Sequence, residues 1–565
     1  MRLDKLTIGS PKDSPTHQFK NLKDVTIDFD EDHWVTVVIG WNGTGKSNVL
    51  EALATIFRDF ILIRKEKKPA FAFQLDYRMG SGDNERRIKI DADPDRDKEP
   101  YLIHVTVAEQ DEMKKESLFD QLEAVTSSKA IRFNAFVADD SPYLPRYVFG
   151  YYSGESTRMH EVYRPYLVTY DKKLRNGEDP GSKRLFYALP VQSQFVLLAL
   201  LIQQNDVMRG FLEKHLGLDP DEGIESVLFV LKQPGWSKKR GKRKISTNGD
   251  PRFWHAEGVV SKFLDRFYNI ALAPIRISRK VQITLWNEET TEFLYLYVKD
   301  IDALRKLVGN QPPAEFFRDL ESTYVSELIE EVRIRVRLNN NDGSVTFREM
   351  SEGEQQLLTV LGLLRFTAGE ESLFLLDEPD THLNPRWSVD YITYLKEFIG
   401  IETKNQKTSH IVLTTHNPLS IAQLEKGQVQ ILKRNEQKKS IEADPPEMNP
   451  KGMGYAGIVT SDLFGLGSSL DNETNKELLE LHRLSLKKDL DEPEKKRLLE
   501  IRERIENLDF NFASRDRVEQ EFMRARFDLT KGTEYDDPIL TAENKKEALK
   551  ALVTSLLNKF NREVE

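Results

Sequence analysis

Residues 34–53 read WVTVVIGWNGTGKSNVLEAL. Bulky aliphatic residues across Val35–Ile39 are the pattern of a strand buried on both faces. From Gly40 to Ser47 the chain matches G-x-x-x-x-G-K-S, and Asn48–Leu53 reads as the first turns of a helix. Strand, glycine loop and helix in that order is the setting in which this spacing holds phosphate. Gly40, Gly43 and Gly45 let the backbone turn its N–H groups inward, with Trp41, Asn42 and Thr44 filling the loop between them. The helix N-terminus at Asn48 adds positive dipole character aimed at the same anion. Lys46 is placed to neutralise β and γ phosphates, and the Ser47 hydroxyl to ligate an accompanying Mg²⁺. The bland alternative is a glycine turn ahead of an ordinary helix. The flanking elements favour a nucleotide site.

At 565 residues the chain has room for two to four domains. It carries 82 basic and 92 acidic side chains, so no global field draws it to nucleic acid, and any such contact must be a local patch. It contains no cysteine, which excludes disulfides, iron–sulfur clusters and thiolate zinc sites. The opening MRLDKLTIGS lacks an apolar signal core, and the longest apolar run, Phe195–Ile202, is too short to span a bilayer. The expectation is a soluble, cytoplasmic protein without a membrane partner.

A phosphate loop needs further parts, and they lie far downstream. Residues 373–379, LFLLDEP, read as an apolar strand ending in Asp377 and Glu378. A carboxylate at the C-terminal end of a buried strand suits a Mg²⁺–water shell, which assigns Asp377 to the metal. Glu378 is placed to polarise a water for attack on the γ-phosphate. The strand His410–Thr415 ends in His416, which could donate a hydrogen bond to that phosphate. Upstream, Met350–Gln356 reads MSEGEQQ before the apolar LLTVLGLL. Ser351 there either caps its own helix or offers its hydroxyl to a foreign anion.

The order G-x-x-x-x-G-K-S, S-x-G-E-Q, LLDEP, DTHLNP and a strand-end histidine resembles the ABC-type ATPases, in their SMC/RecF/OLD-like branch. SEGEQ departs from the LSGGQ of transporters at Glu352 and Glu354. The resemblance spans roughly residues 1–60 and 345–420. It implies an α/β fold: a split P-loop core with an antiparallel β layer, a helical insertion and a helical C-terminal region. It implies ATP and Mg²⁺ as cofactors and hydrolysis involving Glu378 and His416. It also implies that Ser351, Glu352, Gly353, Glu354 and Gln355 close over the ATP of a second subunit, with Asp380, His382 and Asn384 on a loop crossing that interface. The domains expected are 1–165, 166–335, 336–445 and 446–565.

Between the two halves, Phe71–Tyr77 and Ile88–Ile90 alternate about a turn at Gly80–Asn84, a hairpin fitting the β layer. YVFGYYSGES (147–156) is a strand entering a glycine turn, without the glutamine of related loops. Residues 190–335 lack sustained heptads, so a compact, mostly helical insertion is expected in place of a coiled-coil arm. Within it lie the cations Lys238, Lys239, Arg240, Lys242, Arg243 and Lys244, flanked by Trp236, Phe253 and Trp254. They could grip phosphates and stack bases, or form a solvated loop. In the tail, Leu498, Ile501, Ile505 and Leu508 make a narrow apolar stripe that packs on its own domain or docks a partner. Relatives of the OLD type carry a Toprim nuclease with a glutamate and a D-x-D pair, and no such constellation is read beyond His416. Any chemistry on nucleic acid is therefore expected from a partner.

This layout is similar to the PtuA ATPase subunits of Septu-type and retron-associated anti-phage defence systems. That resemblance implies a homodimer or higher oligomer and a small HNH nuclease subunit of the PtuB kind. In retron versions it implies a reverse transcriptase and its RNA–DNA product as well. A RecF-like repair ATPase acting directly on DNA, and a switch that binds ATP without turning it over, are the rival readings.

Overall fold

The computed structural model describes residues 1–506 apart from 31, 64, 108–127, 140, 182, 203–205, 220, 222, 239–247, 285, 339–343, 368–370, 400–408, 436, 438, 439, 467, 486, 488 and 489. Two compact units divide the chain at Gly465.

In the first unit a seven-stranded sheet carries the motifs. Its strands are β1 (Val35–Gly40), β2 (Tyr147–Tyr152), β3 (Leu185–Tyr187), β4 (Ser372–Asp377), β5 (Ser409–Thr414), β6 (Val429–Asn435) and β7 (Ser440–Asp444). They lie in the order β7-β6-β1-β5-β4-β2-β3. Every pair is parallel except the edge hairpin β6–β7. Both faces are covered, as the apolar runs require: β4 and β5 are buried at all six positions. Alternation sends Val35, Val37, Ile39, Phe374, Leu376, Ile411 and Leu413 into one core and Val38, Leu373, Leu375 and Val412 into another.

Helix α1 (Lys46–Leu62) packs into the second of these cores through Val49, Leu50, Leu53, Phe57 and Phe60. A six-stranded antiparallel layer shares that core, and the hairpin read from sequence is part of it: Phe73–Met79 pairs Arg86–Ala92 with Tyr77 opposite Ile88 and Leu75 opposite Ile90. The other core joins the sheet to helices α2 (Arg158–Arg175), α3 (Glu352–Thr367) and α4 (Pro385–Ile399), and to the residues between the motif halves.

The region 166–335 holds the helices Gln192–Ile202, Asp206–Leu216, Gly258–Ile270, Ile301–Val308 and Pro313–Val325. It also contributes most of a five-stranded antiparallel sheet, built from Ile275–Thr284, Asn287–Val298, Ile224–Lys232, Ile329–Arg337 and Ser344–Thr346 in that spatial order. The apolar run at Phe195–Ile202 belongs to a helix buried almost all round, and no helix among the described residues is long and apolar enough to cross a membrane.

The first unit extends past 445. Ile458 and Leu463 are buried in the same core as the parallel sheet, so residues 446–465 belong to the first unit. In the second unit, α5 (Asn472–Ser485) and α6 (Glu492–Glu506) pack on each other. Leu484, Ile501 and Ile505 form their core with Leu478, Leu481 and Leu498 against it. Three of the four stripe residues are thus used within the unit, and Leu508 lies outside the described residues.

Candidate active site

The phosphate loop links β1 to α1, and its glycines are demanded by geometry. Gly40 has φ 149° and Gly45 has φ 97°, backbone states that favour glycine. A Cβ at Gly40 would lie 2.5 Å from the Leu432 carbonyl oxygen, and one at Gly45 would lie 2.8 Å from Asn21 Oδ1. Asn21 holds the loop from outside: its Nδ2 donates to the Gly43 carbonyl at 2.9 Å and its Oδ1 accepts from Asn48 Nδ2 at 2.6 Å. Thr44 Oγ1 donates to the Trp41 carbonyl at 2.8 Å. Lys46 Nζ donates to the Gly40 and Trp41 carbonyls at 2.8 and 3.3 Å. Burial draws the Lys46 pKa down, opposed by the nearby Glu378 and Asp377 carboxylates.

Those carboxylates reach Lys46 because β4 lies one strand beyond β5, which pairs β1. Asp377 is 2 % exposed, and burial pushes its pKa up against hydrogen bonds from the Thr414 and Ser47 hydroxyls. A buried, penalised carboxylate beside a serine hydroxyl is a hard-oxygen donor set suited to Mg²⁺. Ser47 and Asp377 would hold the ion, which when bound would neutralise phosphate charge.

Glu378 sits in the left-handed region with φ 52°, a conformation costing a non-glycine residue about 1 kcal/mol or more. The cost is borne by a web of bonds. Its N–H donates to the Thr414 carbonyl and to Thr414 Oγ1, each at 3.1 Å, and its carbonyl accepts from Thr381 Oγ1 at 2.9 Å. The turn aims the carboxylate at His416, whose Nε2 lies 3.1 Å from Glu378 Oε1. That contact is the main reason the Glu378 pKa is lowered, so the group is a carboxylate, the form a general base needs.

The signature helix α3 begins with a reciprocal cap. Ser351 N–H donates to Glu354 Oε2 at 2.8 Å, and Glu354 N–H donates to Ser351 Oγ at 3.3 Å. Both readings of Ser351 therefore concern the same hydroxyl. Gln355 Nε2 donates to the Met350 carbonyl at 2.9 Å, and Gln356 Nε2 to the Pro379 carbonyl at 2.6 Å. Gly353 permits contact with the loop after β4, since a Cβ there would lie 2.5 Å from the His382 carbonyl oxygen. On that loop the structure separates the three residues expected to face a second subunit. His382 is exposed and lies 3.4 Å from Glu352, and Asn384 Oδ1 accepts from Trp387 N–H at the start of α4. Asp380, by contrast, is 3 % exposed and accepts from the Thr415 and Ser420 hydroxyls. Its Oδ2 takes both of these hydroxyl bonds, so the carboxylate braces from inside the loop on which His382 and Asn384 are exposed.

Several supporting residues carry no motif. Thr414 ties Asp377 to Glu378, and Asn21 braces the phosphate loop. On β2, Tyr152 stands in register with Asp377, Ser153 N–H donates to the Asp377 carbonyl at 3.2 Å, and Ser153 Oγ lies 3.1 Å from Thr381 Oγ1. The strand-end threonines before His416 were the visible signal, though threonine is too common at strand ends to be singled out by itself.

The basic loop gives a different outcome. Lys239, Arg240, Lys242, Arg243 and Lys244 lie outside the described residues. Lys238 Nζ bonds Thr291 Oγ1 at 2.8 Å and pairs with Glu289 at 3.2 Å. Phe253 and Trp254 are buried, and Trp236 Nε1 donates to the Ser326 carbonyl at 2.9 Å. Phe253 and Trp254 pack in the core of their own lobe, and Trp236 packs half-buried against it. A cluster of His17, Asp93 and Asp95 lies away from the site, with Lys12 Nζ at 3.2 and 3.3 Å from the two carboxylates.

Known proteins match the same two halves. Residues 17–134 match a family described as "AAA ATPase domain". Residues 216–422 match one described as "AAA domain, putative AbiEii toxin, Type IV TA system". The chain is 38% identical over 98 residues to a protein named "Septu protein PtuA" from Bacillus mycoides (strain KBAB4). That alignment covers 17% of this chain, and the chain spans only 12% of the relative's length. Against the solved SMC head domain from Thermotoga maritima the identity is 12%, covering 79% of this chain and all of that one, with a TM-score of 0.30. The motifs and the parallel sheet fit a P-loop fold, and two segments of the chain are similar to AAA ATPase domains.

Proposed function

We propose that this chain binds and hydrolyses ATP with Mg²⁺, and that two copies close around the nucleotide to control a partner nuclease in an anti-phage defence complex. The observation that carries the chemistry is the convergence of Lys46, Ser47, Asp377, Glu378 and His416 at the ends of three neighbouring strands. Lys46 binds phosphate, Ser47 and Asp377 hold the cation, and Glu378 accepts a proton from water while His416 orients its carboxylate. Ser351 of one copy, at the N-terminus of α3, meets the phosphate held by the other. The partial match to a Septu PtuA supports the defence setting, with an HNH subunit as the nuclease and, in a retron setting, a reverse transcriptase with its RNA–DNA product.

Sedimentation of the Glu378→Gln variant with saturating ATP tests the dimer, which is expected to accumulate; a monomer under those conditions overturns the trans-serine reading. Affinity purification from the native host tests the setting. Recovery of an HNH protein supports defence. Recovery of replication or repair factors alone overturns it in favour of an ATPase acting directly on DNA.

A further inference from the structure

We propose that the pocket beside the phosphate loop receives the Glu352–His382 corner of a second copy of this chain. The inference rests on the trans-serine reading above and names the contact that would accompany it.

The pocket holds about 460 Å³ and is lined by Trp41, Asn42, Gly43, Thr44, Lys433 and Arg434. Its two walls differ in chemistry. Trp41 stands on one side, 64 % exposed, where most of the other described aromatics pack inside. Lys433 and Arg434, from the end of β6, supply two cations on the other side, with Lys433 3.7 Å from Asp462 and Arg434 exposed. An exposed tryptophan beside arginine is the composition of an interface anchor.

The complementary surface lies at the start of α3. Two glutamates stand there in a helix end that the proposed function brings against a triphosphate. Like charge at that approach costs free energy unless each carboxylate is compensated. Glu354 is engaged in the cap with Ser351. Glu352 is not: its side chain is 83 % exposed, and the neighbouring group within its own copy is the His382 ring at 3.4 Å. In a closed pair the start of α3 lies over the opposite phosphate loop, whose rim carries Lys433 and Arg434. The Arg434 guanidinium fits a carboxylate through paired N–H donors, and the Trp41 indole offers a face to the His382 ring. Glu352 thereby becomes an anchor, where without Arg434 it would repel the nucleotide's charge.

Charge reversal across the interface tests this. In the Glu378→Gln background, ATP-driven dimerisation is measured by sedimentation for Glu352→Arg, for Arg434→Glu and for both together. Each single reversal is expected to weaken the dimer by about tenfold or more, and the double reversal to recover most of that loss. Purely additive losses in the double variant overturn the proposal. So does a loss of nucleotide affinity in dilute, monomeric Arg434→Glu with no coupling to Glu352, which would make the pocket a seat for the nucleotide's base. If the parent Glu378→Gln protein stays monomeric with ATP, the trans reading falls and this contact with it. A dimer lacking charge coupling removes the contact alone. Folding of each variant is checked by circular dichroism, and Arg434→Ala, which removes charge without reversing it, is expected to show the smaller loss.

Discussion

Ser351 and Glu354 share two hydrogen bonds in the cap of α3, yet the proposed mechanism gives them different parts. Ser351→Ala removes the hydroxyl that accepts from Glu354 N–H at 3.3 Å. That bond is long and exposed, so the capping loss lies near the low end of the usual range, about 0.5 kcal/mol. In a chain of this size such a loss moves the melting midpoint by about 1 °C. Glu354→Ala removes the acceptor of Ser351 N–H and costs a similar amount. The two variants should therefore be alike without nucleotide. With ATP they should diverge. Ser351→Ala loses a hydrogen bond to a charged phosphate, worth about 1.5–3 kcal/mol, and ATP-driven dimerisation weakens by about 10- to 150-fold for each such bond in the pair. Glu354→Ala frees the Ser351 N–H and leaves the Ser351 hydroxyl in place, so dimerisation is kept. Thermal unfolding of the nucleotide-free proteins and sedimentation with ATP separate the cases. If both variants shift the ATP response in the same direction, in proportion to their lost stability, Ser351 is a helix cap and nothing more.

Glu378→Gln keeps the side chain's shape but not its basicity, and hydrolysis should fall by about 100-fold or more while fluorescent ATP analogues still bind. Gly353→Ala places a methyl 2.5 Å from the His382 carbonyl oxygen, so α3 or the following loop must move; urea unfolding should show a loss of about 1–3 kcal/mol. His410 predicts a pH dependence. It is fully buried, accepts from Leu3 N–H at Nδ1 and bonds Thr36 Oγ1 through Nε2, each at 3.0 Å, and burial with Arg2 nearby holds its pKa well below the usual value. The unfolded chain takes up a proton near pH 6.5 and the folded one does not, so this contribution is complete above that pH and is lost on acidification, by about 1.4 kcal/mol per pH unit. Comparing wild type with His410→Gln by urea unfolding at pH 7.5 and 5.5 isolates it; equal losses in both proteins would contradict the assignment.

What could be read from sequence follows from how local the chemistry is. A phosphate loop needs consecutive residues, so Gly40–Ser47 announces itself, as does an acid pair closing an apolar strand. Thr414, Asn21, Thr415 and Ser420 do their work across the fold: each bonds a motif residue that is close in space and distant along the chain, and none belongs to a spacing that marks it. Asp380 shows the same limit: its motif gives its place on the loop, but not the two distant hydroxyls that hold its carboxylate inside. The five-stranded sheet was partly legible. Ile329–Arg337, IEEVRIRVR, alternates apolar and charged residues, and its apolar positions are the buried ones. The absence of sustained heptads, which pointed to a compact and mostly helical region, carries no information about such a sheet.

The distance between the halves of the site has a consequence for how it forms. Lys46 and Asp377 are hundreds of residues apart, and they meet only because β5 pairs β1 on one side, Ile411 with Val35, and β4 on the other, Thr414 with Asp377. Thr414 ends β5 and bonds both acids, while His410 near its start bonds Thr36 of β1 and Leu3 of the antiparallel layer. One strand thus fastens the N-terminal sheet at one end and arranges the Asp377 and Glu378 carboxylates at the other. Pairings of such sequence separation are late and cooperative events in folding. The left-handed turn at Glu378 depends on them directly, because the Thr414 carbonyl and hydroxyl that receive its N–H are supplied by β5. The proposed active geometry is therefore available only to a chain whose central sheet is complete, and lesions at His410, at the other end of β5 from Asp377, should appear in hydrolysis as well as in stability.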